Sequence, residues 1–196
     1  MIIRVANVLI QRFLPEHTDL LYELVNHPSV RQGMSNKTEI TYADHLTWVK
    51  ENLLLETDTH LFVAEHVNYG RGVVLIKNMS RDAGELGIMV DDISGARQTQ
   101  FVSKLITGIL FYAFEQCHLS RLDMNIVPSN QSSLNLAKKI GAHYQFADTV
   151  YQRFLLNDQT YRSSRRHQLL IARYQPVIES GLGIRMQGEE EAIIDQ

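Results

Sequence analysis

The strongest constraint on the fold is an apolar periodicity in the second half of the chain. Apolar side chains recur in pairs every three or four residues, at Phe101, Val102, Leu105, Ile106, Ile109, Leu110, Ala113 and Phe114. This spacing places all of them on one face of an α-helix. A helix with one apolar face packs that face against another element. The surrounding sequence must therefore supply the surface on which this helix lies.

Strand-like segments on both sides of the helix supply that surface. They cover residues 8–13, 60–66, 71–78, 85–91 and 121–127, with two more pieces within residues 144–156. Three of these segments follow one another directly before the helix and are joined by short polar turns, which predicts an antiparallel meander. The segment after the helix alternates strictly between apolar and polar residues, as a half-buried strand does.

Further helices complete the pattern. They are predicted over residues 18–26, 42–54 and 130–141, with a short helix within residues 167–178. Pro28 ends the first of them, because proline cannot continue the hydrogen-bond ladder, and a loop over residues 29–41 follows. Asn130 is a typical helix cap, and Gly141 a typical helix end. The sequence thus predicts an α+β fold, with a central mixed, mostly antiparallel sheet of about seven strands flanked by helices.

Composition excludes several classes of protein. The 196 residues are 44% hydrophobic and 21% charged, as in a globular protein of one domain with or without an appendage. The net charge of −3 gives no reason to expect nucleic-acid binding. No apolar run approaches the ~20 residues of a membrane helix, and the first residues lack the pattern of a signal peptide. Cys117 is the single cysteine, and the eight histidines form no metal-ligand cluster, so we expect a cytoplasmic protein without a metal, membrane or nucleic-acid partner.

Three sequence clusters occur in an order that is typical of one family. The first is Asn26-His27-Pro28-Ser29-Val30-Arg31, followed by Ile40-Thr41 and His45-Leu46; the second is Tyr112-Ala113-Phe114; the third is Asn130-Gln131-Ser132-Ser133, followed by Leu136 and Lys139-Ile140-Gly141-Ala142. Over residues 7–157 the chain resembles the GNAT superfamily of acetyl-CoA-dependent N-acetyltransferases. The closest patterns are those of nucleotide-amino-sugar N-acetyltransferases of glycan biosynthesis and of ribosomal-protein N-terminal acetyltransferases. The resemblance implies a GNAT-like acyltransferase domain over residues 1–157, and residues 158–196 are then a C-terminal helix and a mobile acidic tail.

The resemblance implies that acetyl-CoA is the co-substrate and that its pyrophosphate lies at the start of the long helix. Free backbone N–H groups and the helix dipole favour an anion there. The family pattern is R/Q-x-x-G-x-G/A, whereas this chain has Arg97 followed by Gln100 and Val102 at the two small positions. An alternative alignment makes Gly95 the first loop glycine but breaks the register of the helix. The expected contacts to the cofactor are Met89, Val90, Arg97, Gln98, Thr99, Gln100, Phe101, Val102, Asn130, Ser133 and Lys139.

The family's chemistry needs a base, a donor for the oxyanion and an acid. Glu85 opens the fourth strand of the family fold, where relatives often carry a carboxylate base, and a backbone N–H late in this strand would hold the oxyanion. The usual acid is a tyrosine of the helix over residues 130–141, but Ala137 stands at its position. Ser133 is the nearest substitute, and Tyr144 is a more distant one. The expected catalytic residues are therefore Glu85 and Ser133.

The acceptor is expected to bind between the loop over residues 29–41 and the helix after it. Arg31, Met34, His45 and Trp48 are the residues expected to line a sugar or nucleotide pocket. His45 is a second candidate for the base, although a lone histidine is more often structural. A position in the core is the alternative for Trp48.

We therefore predict an acyltransferase that moves an acetyl group from acetyl-CoA to a primary amine of a small molecule. A nucleotide-linked amino sugar is the first hypothesis for the acceptor, and the chain could form a homodimer. The second hypothesis is a protein N-terminal acetyltransferase, with Asp91, Asp92 and Glu85 as an acidic groove. The third is a GNAT-fold binding or regulatory module without catalysis, because Gln100 and Ala137 replace family residues.

Overall fold

The structure is a computed structural model that describes residues 1–55, 58–90 and 96–179, with side chains from Thr99 onward in the last range. Its nine strands are β1 Ile2–Val5, β2 Val8–Arg12, β3 His60–His66, β4 Gly70–Lys77, β5 Ala83–Val90, β6 Arg121–Ile126, β7 His143–Ala147, β8 Gln152–Asn157 and β9 Val177–Glu179. They form one sheet in the order β7-β8-β6-β5-β4-β3-β2-β1-β9. All neighbours are antiparallel except β5 and β6, which are parallel. The predicted α+β class with a mixed, mostly antiparallel sheet is confirmed.

The predicted count of about seven strands is too low, because one edge of the sheet carries two more. β1 forms a tight hairpin with β2, with Ala6 at a positive φ of 54° in the turn. Ile3 and Val5 of β1 are fully buried. β9 pairs with β1 as the outermost strand of this edge. Both strands are so short that alternation of polar and apolar residues gives little signal.

Seven helices accompany the sheet in the described part of the chain. They are α1 Thr18–Asn26, α2 Pro28–Gln32, α3 Tyr42–Val49, α4 Ala96–Phe111, α5 Gln131–Lys139, α6 Asp158–Ser163 and α7 Arg165–Tyr174. α3 and α4 each continue into one π-helical turn, over Lys50–Leu54 and Tyr112–Gln116. The helices predicted before, along and after the long apolar periodicity are confirmed. None of these helices has the length and apolarity that crossing a membrane requires.

A short helix occupies part of the segment that was predicted as a loop. α2 starts at Pro28 directly after α1 has ended at Asn26. The missing N–H of a proline is no disadvantage in the first turn of a helix, where that group has no partner in any case. Pro28 therefore both ends α1 and starts α2, and only the first effect was predicted.

The helix predicted within residues 167–178 also has other bounds. The chain forms α6 and α7 here, and the Ser164 side chain between them accepts a hydrogen bond from the His167 N–H at 3.4 Å. α7 ends at Tyr174, and Gln175 after it is left-handed with a φ of 45°. Residues 177–179 then leave the helix as β9.

The long helix α4 lies across one face of the sheet. Phe101, Leu105 and Ile109 are fully buried between the helix and the strands. The approach is closest at Gly108, where a Cβ atom would lie 2.6 Å from Cδ1 of Ile10 and would overlap it. The other face of the sheet carries a smaller cluster, which includes Leu21, Leu24, Val49, Leu61, Val63, Val73 and Leu75 and packs α1 and α3.

The C-terminal segment, residues 158–179, crosses over α4 to the far edge of the sheet. Tyr161 stacks on Phe114 at 4.7 Å between ring centres. Further along, the carbonyl of Tyr174 accepts a hydrogen bond from the Ala6 N–H at 3.0 Å. Tyr161 and Tyr174 belong to the same buried cluster as α4. A domain boundary at residue 157 stays a prediction, and the acidic tail over residues 180–196 lies outside the described residues.

Two substitutions of Tyr161 separate the packing of this segment from the hydroxyl that it buries. No described group bonds the buried Tyr161 hydroxyl, and burial raises its pKa. Tyr161→Ala should lower the free energy of unfolding by about 3–5 kcal/mol through the cavity it leaves. Tyr161→Phe should raise it by about 1 kcal/mol, because an unsatisfied polar group is removed. Urea denaturation measures both, and equal losses in the two variants would contradict this account.

Candidate active site

The sheet opens between its two parallel strands. β5 and β6 pair only over Ala83–Glu85 and Arg121–Asp123. Beyond this point β5 runs on to Val90 and pairs with β4, while β6 runs on to Ile126 and pairs with β8. The two strands therefore diverge after Glu85. Every second N–H of the remaining part of β5 points away from β4 and into the gap.

A cavity of about 1110 Å³ extends through this gap. Small-molecule sites in proteins usually occupy about 300–1,000 Å³, so this cavity has room for more than one small ligand. Its wall includes β5, β6, α4 and α5, and also α3 and residues 29–36 from the other face of the sheet. The cavity thus has lining residues from both faces of the sheet and passes the point where β5 and β6 diverge.

On α4, some of the residues of the family's phosphate pattern reach the cavity and others do not. Thr99, Val102 and Ser103 lie on the wall. Gln100 points elsewhere, because its Oε1 accepts a hydrogen bond from the Tyr69 hydroxyl at 3.4 Å. Phe101 is fully buried in the core. The contacts predicted for the side chains of Arg97 and Gln98, and the alternative register at Gly95, lie outside the described part.

Glu85 lies on the cavity wall at the point where β5 and β6 diverge. Its carboxylate accepts hydrogen bonds from Lys77 Nζ at 2.9 Å and from Asn78 Nδ2 at 3.3 Å. Glu85 and Lys77 are partners in the register of β5 and β4, so the pair is fixed by the sheet. Its side chain is 17% exposed. Met89 and Val90, further along β5, also line the cavity, and their contact with the cofactor stays a prediction.

Asn130 joins the start of α5 to the opposite wall of the cavity. Its Oδ1 accepts a hydrogen bond from the Ser133 N–H at 3.0 Å, which caps α5. Its Nδ2 donates to the Gly33 carbonyl at 3.1 Å. Both polar atoms of the side chain are therefore engaged within the protein. The other predicted α5 contacts, Ser133 and Lys139, lie on the cavity wall, as does the buried Ala137.

Tyr151 is a hydroxyl at the cavity that the sequence analysis missed. It lies on the wall, and its hydroxyl donates to Ser35 Oγ at 2.9 Å. Asp148 orders the preceding turn by accepting from the backbone N–H groups of Val150 and Tyr151 and from Arg153, which lowers the pKa of Asp148 to about 2. An Asp with N–H partners two and three residues later is a known turn signal.

Tyr144, the phenol that the sequence analysis did consider as a distant acid, lies elsewhere. Its exposed ring packs against Phe154 at 5.7 Å between ring centres and is not on the cavity wall. Of these two phenols, Tyr151 lies on the cavity wall and Tyr144 does not.

All four residues predicted for the acceptor lie on the cavity wall: Arg31, Met34, His45 and Trp48. Trp48 is 39% exposed, so the alternative of a core position is wrong. His45 is 3% exposed, and its Nε2 donates to the Thr18 carbonyl at 2.9 Å. This bond, with the Tyr22 ring at 5.3 Å, gives His45 a structural role between α1 and α3.

Arg31 is buried without a matching anion. The residue is 7% exposed, and its Nη1 contacts Met34 Sδ at 3.6 Å, a weak acceptor. No described group accepts a hydrogen bond from its Nε or Nη2. A buried charge without a partner is costly, so the position of Arg31 points to an anion that the protein itself does not provide.

The charged groups on the described cavity wall are mostly positive. Glu85 is the one carboxylate among them, and Lys77 already pairs with it. Arg31, Lys139 and Arg166 are the other charged residues on this wall. The described residues contain no group of three or more His, Cys, Asp or Glu side chains that could hold a metal ion.

Residues 7–143 match the family model of the acetyltransferase (GNAT) domain. The match covers more than half of the chain, which therefore belongs to the GNAT acetyltransferase family. Membership makes the protein an acetyltransferase with acetyl-CoA as its co-substrate, as predicted. A search of curated protein sequences found no match.

Three solved structures illustrate the likeness in fold. The spermidine N-acetyltransferase of Vibrio cholerae in complex with CoA and spermine has a TM-score of 0.65 and 15% identity, covering 80% of this chain and 98% of its own. The N-acetyltransferase PseH of Campylobacter jejuni in complex with acetyl coenzyme A has a TM-score of 0.58 and 16% identity, covering 76% and 98%. AAC(6′)-Ib in complex with ribostamycin and coenzyme A has a TM-score of 0.68 and 14% identity, covering 81% and 97%. At these identities the likeness establishes the fold.

The two bonds of Asn130 can be separated by substitution. Asn130→Asp keeps an acceptor for the Ser133 N–H but loses the donor to Gly33, whereas Asn130→Ala loses both. We expect the aspartate variant to lose about 1 kcal/mol of unfolding free energy and the alanine variant about 2 kcal/mol. Chemical denaturation gives these values. Hydrogen exchange at residues 29–36 should accelerate in both variants, and unchanged exchange would show that the Gly33 bond does not hold this segment.

Proposed function

We propose that this protein acetylates the primary amine of a nucleotide-linked amino sugar. The observation that carries the proposal is the buried Arg31 guanidinium on the cavity wall, whose Nε and Nη2 have no acceptor among the described groups. A substrate with a phosphate or diphosphate beside its amine would supply that acceptor. Arginine is well suited to this task, because its planar fork matches two phosphate oxygens at once.

The residues of the gap fit acetyl-CoA. Over Leu86–Val90, β5 pairs with β4 on one side only, so every second N–H there has no strand partner and suits an extended ligand that lies along the strand. Thr99 and Ser103 of α4 add hydroxyl groups on the same wall. When bound, acetyl-CoA supplies the thioester whose carbonyl carbon the amine attacks.

The chain's own groups then hold and move protons. Glu85 takes the proton of the incoming amine, since it is the one carboxylate on the described cavity wall. An N–H near Met89 or Val90 donates to the carbonyl oxygen as negative charge develops there. The Tyr151 hydroxyl, or that of Ser133, returns a proton to the departing sulfur. Lys77 orients Glu85 through their 2.9 Å contact.

The acceptor side of the cavity suits a nucleotide better than a polyamine. Trp48 offers an exposed aromatic face for stacking on a base or a sugar. The ligands of two structural neighbours, spermine and ribostamycin, carry several amines. A polycation of that kind needs carboxylates, and on the described wall it would meet Glu85, which Lys77 already occupies.

The two other hypotheses remain predictions. An acidic groove for a peptide N-terminus would rest on Asp91 and Asp92, which lie outside the described residues, and on Glu85 with its lysine partner. A binding module without catalysis would rest on the sequence changes at Gln100 and Ala137.

A panel of acceptors tests the proposal. Release of free thiol from acetyl-CoA is measured with a nucleoside diphosphate amino sugar, the same sugar without the nucleotide, spermidine and peptides with free N-termini. We expect turnover with the nucleotide-linked sugar and at least tenfold lower kcat/KM without the nucleotide. Turnover of spermidine or peptides alone would refute the proposed acceptor. CoA binding by calorimetry without any turnover would favour the binding module.

Arg31→Met should lower the catalytic activity and raise the stability of the protein. Methionine fills a similar volume without a buried charge, so the free energy of unfolding should rise by about 1 kcal/mol or more. The kcat/KM for the nucleotide-linked sugar should fall by about tenfold to a hundredfold, because charged hydrogen bonds to phosphate are lost. Affinity for CoA should not change. Lys50→Gln, which removes an exposed positive charge on α3's π-helical turn, is the control. A variant with lower stability and lower CoA affinity would indicate a structural role for Arg31.

A further inference from the structure

The C-terminal segment contributes to the cavity from outside the shared family domain. Arg166 and Leu170 of α7 lie on the cavity wall. They are four residues apart, so they occupy the same face of the helix. Ser103 of α4 and Lys139 of α5 lie on the wall of the same cavity. Three helices, α4, α5 and α7, therefore contribute to the wall of this cavity.

α7 is held firmly at this position. Its contacts with α4 bury Tyr174 and partly bury Leu170 in the main core. His167, which follows Arg166, is buried, and its Nε2 donates to the Ile140 carbonyl at the end of α5 at 2.8 Å. Its ring also packs against Tyr161 at 5.3 Å. Arg166 is therefore anchored next to the C-terminal end of α5 and does not depend on a flexible tail for its position.

The charged side chains on this part of the wall are positive and can bind an anion. Arg166 and Lys139 are both exposed, and neither bonds to a described residue. Glu85, the one carboxylate on the described wall, is on β5 and pairs with Lys77. Two cations on the cavity wall, one on α5 and one on α7, suit phosphate groups, of which CoA has three.

α7 lies outside the residues that the family model matches. The family model ends at residue 143, before α6 and α7 begin. The alignment with the spermidine N-acetyltransferase covers 98% of that chain but 80% of this one, which leaves a fifth of this chain unmatched. The present protein has Gln100 and Val102 at the two positions where the family has small residues that let phosphate approach the backbone. A side-chain cation from α7 would offset that loss.

We propose that residues 158–179 form part of the cofactor site and that Arg166 binds a phosphate of acetyl-CoA. The inference rests on acetyl-CoA as the co-substrate and is independent of the acceptor. The group that Arg166 binds is a phosphate monoester or a diphosphate, since CoA carries a 3′-phosphate on its ribose and a diphosphate in its linker. α7 therefore replaces part of the phosphate binding that the loop before the long helix provides elsewhere in the family.

Calorimetry with Arg166→Gln and Arg165→Gln tests the proposal without any acceptor. Both residues are exposed, and Arg165 does not line the cavity, so it is the matched control. The Kd for CoA should rise about tenfold or more in Arg166→Gln and remain unchanged in Arg165→Gln. Thermal unfolding of both variants should match the wild type, because neither side chain is buried.

Dephospho-CoA, which lacks the 3′-phosphate, identifies the group that Arg166 binds. If the 3′-phosphate is the partner, wild type and Arg166→Gln should bind dephospho-CoA equally. If the diphosphate is the partner, the substitution should raise the Kd for dephospho-CoA by the same factor as the Kd for CoA. Equal Kd values for CoA in the two variants, or no binding of CoA by the wild type, would overturn the proposal. Failure of the acceptor panel would leave these Kd values unaffected, so the two proposals fail separately.

Discussion

The rest of the structure depends on one constraint: the parallel strands β5 and β6 stop pairing after three residues. β5 and β6 share only Ala83–Glu85 and Arg121–Asp123, and β5 then continues to Val90 along the gap. A buried N–H without a partner costs on the order of 1–3 kcal/mol, so a protein leaves such groups open only where something else can bond them. The opening creates the cavity and orients backbone donors into it. It also places Glu85 on the cavity wall at the last residue of β5 that pairs with β6.

The opening would weaken the sheet if nothing joined its two halves on the other side. Two side-chain bonds do so, from Asn130 to Gly33 and from Tyr151 to Ser35. Both connect the half of the chain after β6 to the segment after α1, across the cavity. The same segment carries Arg31, so the two bonds that cross the cavity and the buried guanidinium on its wall belong to one stretch of chain.

Much of the fold could be predicted because its main elements have strong local signals. The stripe from Phe101 to Phe114 and the alternation in β6 each define an element without reference to the rest of the chain. β1 and β9 were not predicted, because strands of four and three residues carry little pattern. They form through pairing, β9 with β1 and β1 with β2. α2 escaped because Pro28 was taken only as an end signal.

For the site, the sequence placed Arg31, Met34, His45 and Trp48 on one wall, and they do line the cavity. Tyr151 and Arg166 were missed for a physical reason. The partner of Tyr151 is 116 residues away in sequence, and the position of Arg166 follows from the docking of α7 on α4 and α5. Tertiary packing decides such positions, and the periodicity of a single sequence carries no information about that packing.

The pairing of β9 with β1 has a consequence for how the protein is made. Arg4 and Glu179, which are joined by a 2.8 Å ion pair, are 175 residues apart in the sequence. Contacts of such long range form late, because the loop between them must close first. During synthesis, β1 leaves the ribosome long before β9 does and presents an unpaired edge that favours association with other chains. α7 directly precedes β9 in the chain, so a nascent chain can complete the segment that matches the family model before α7 adds its part of the cavity wall.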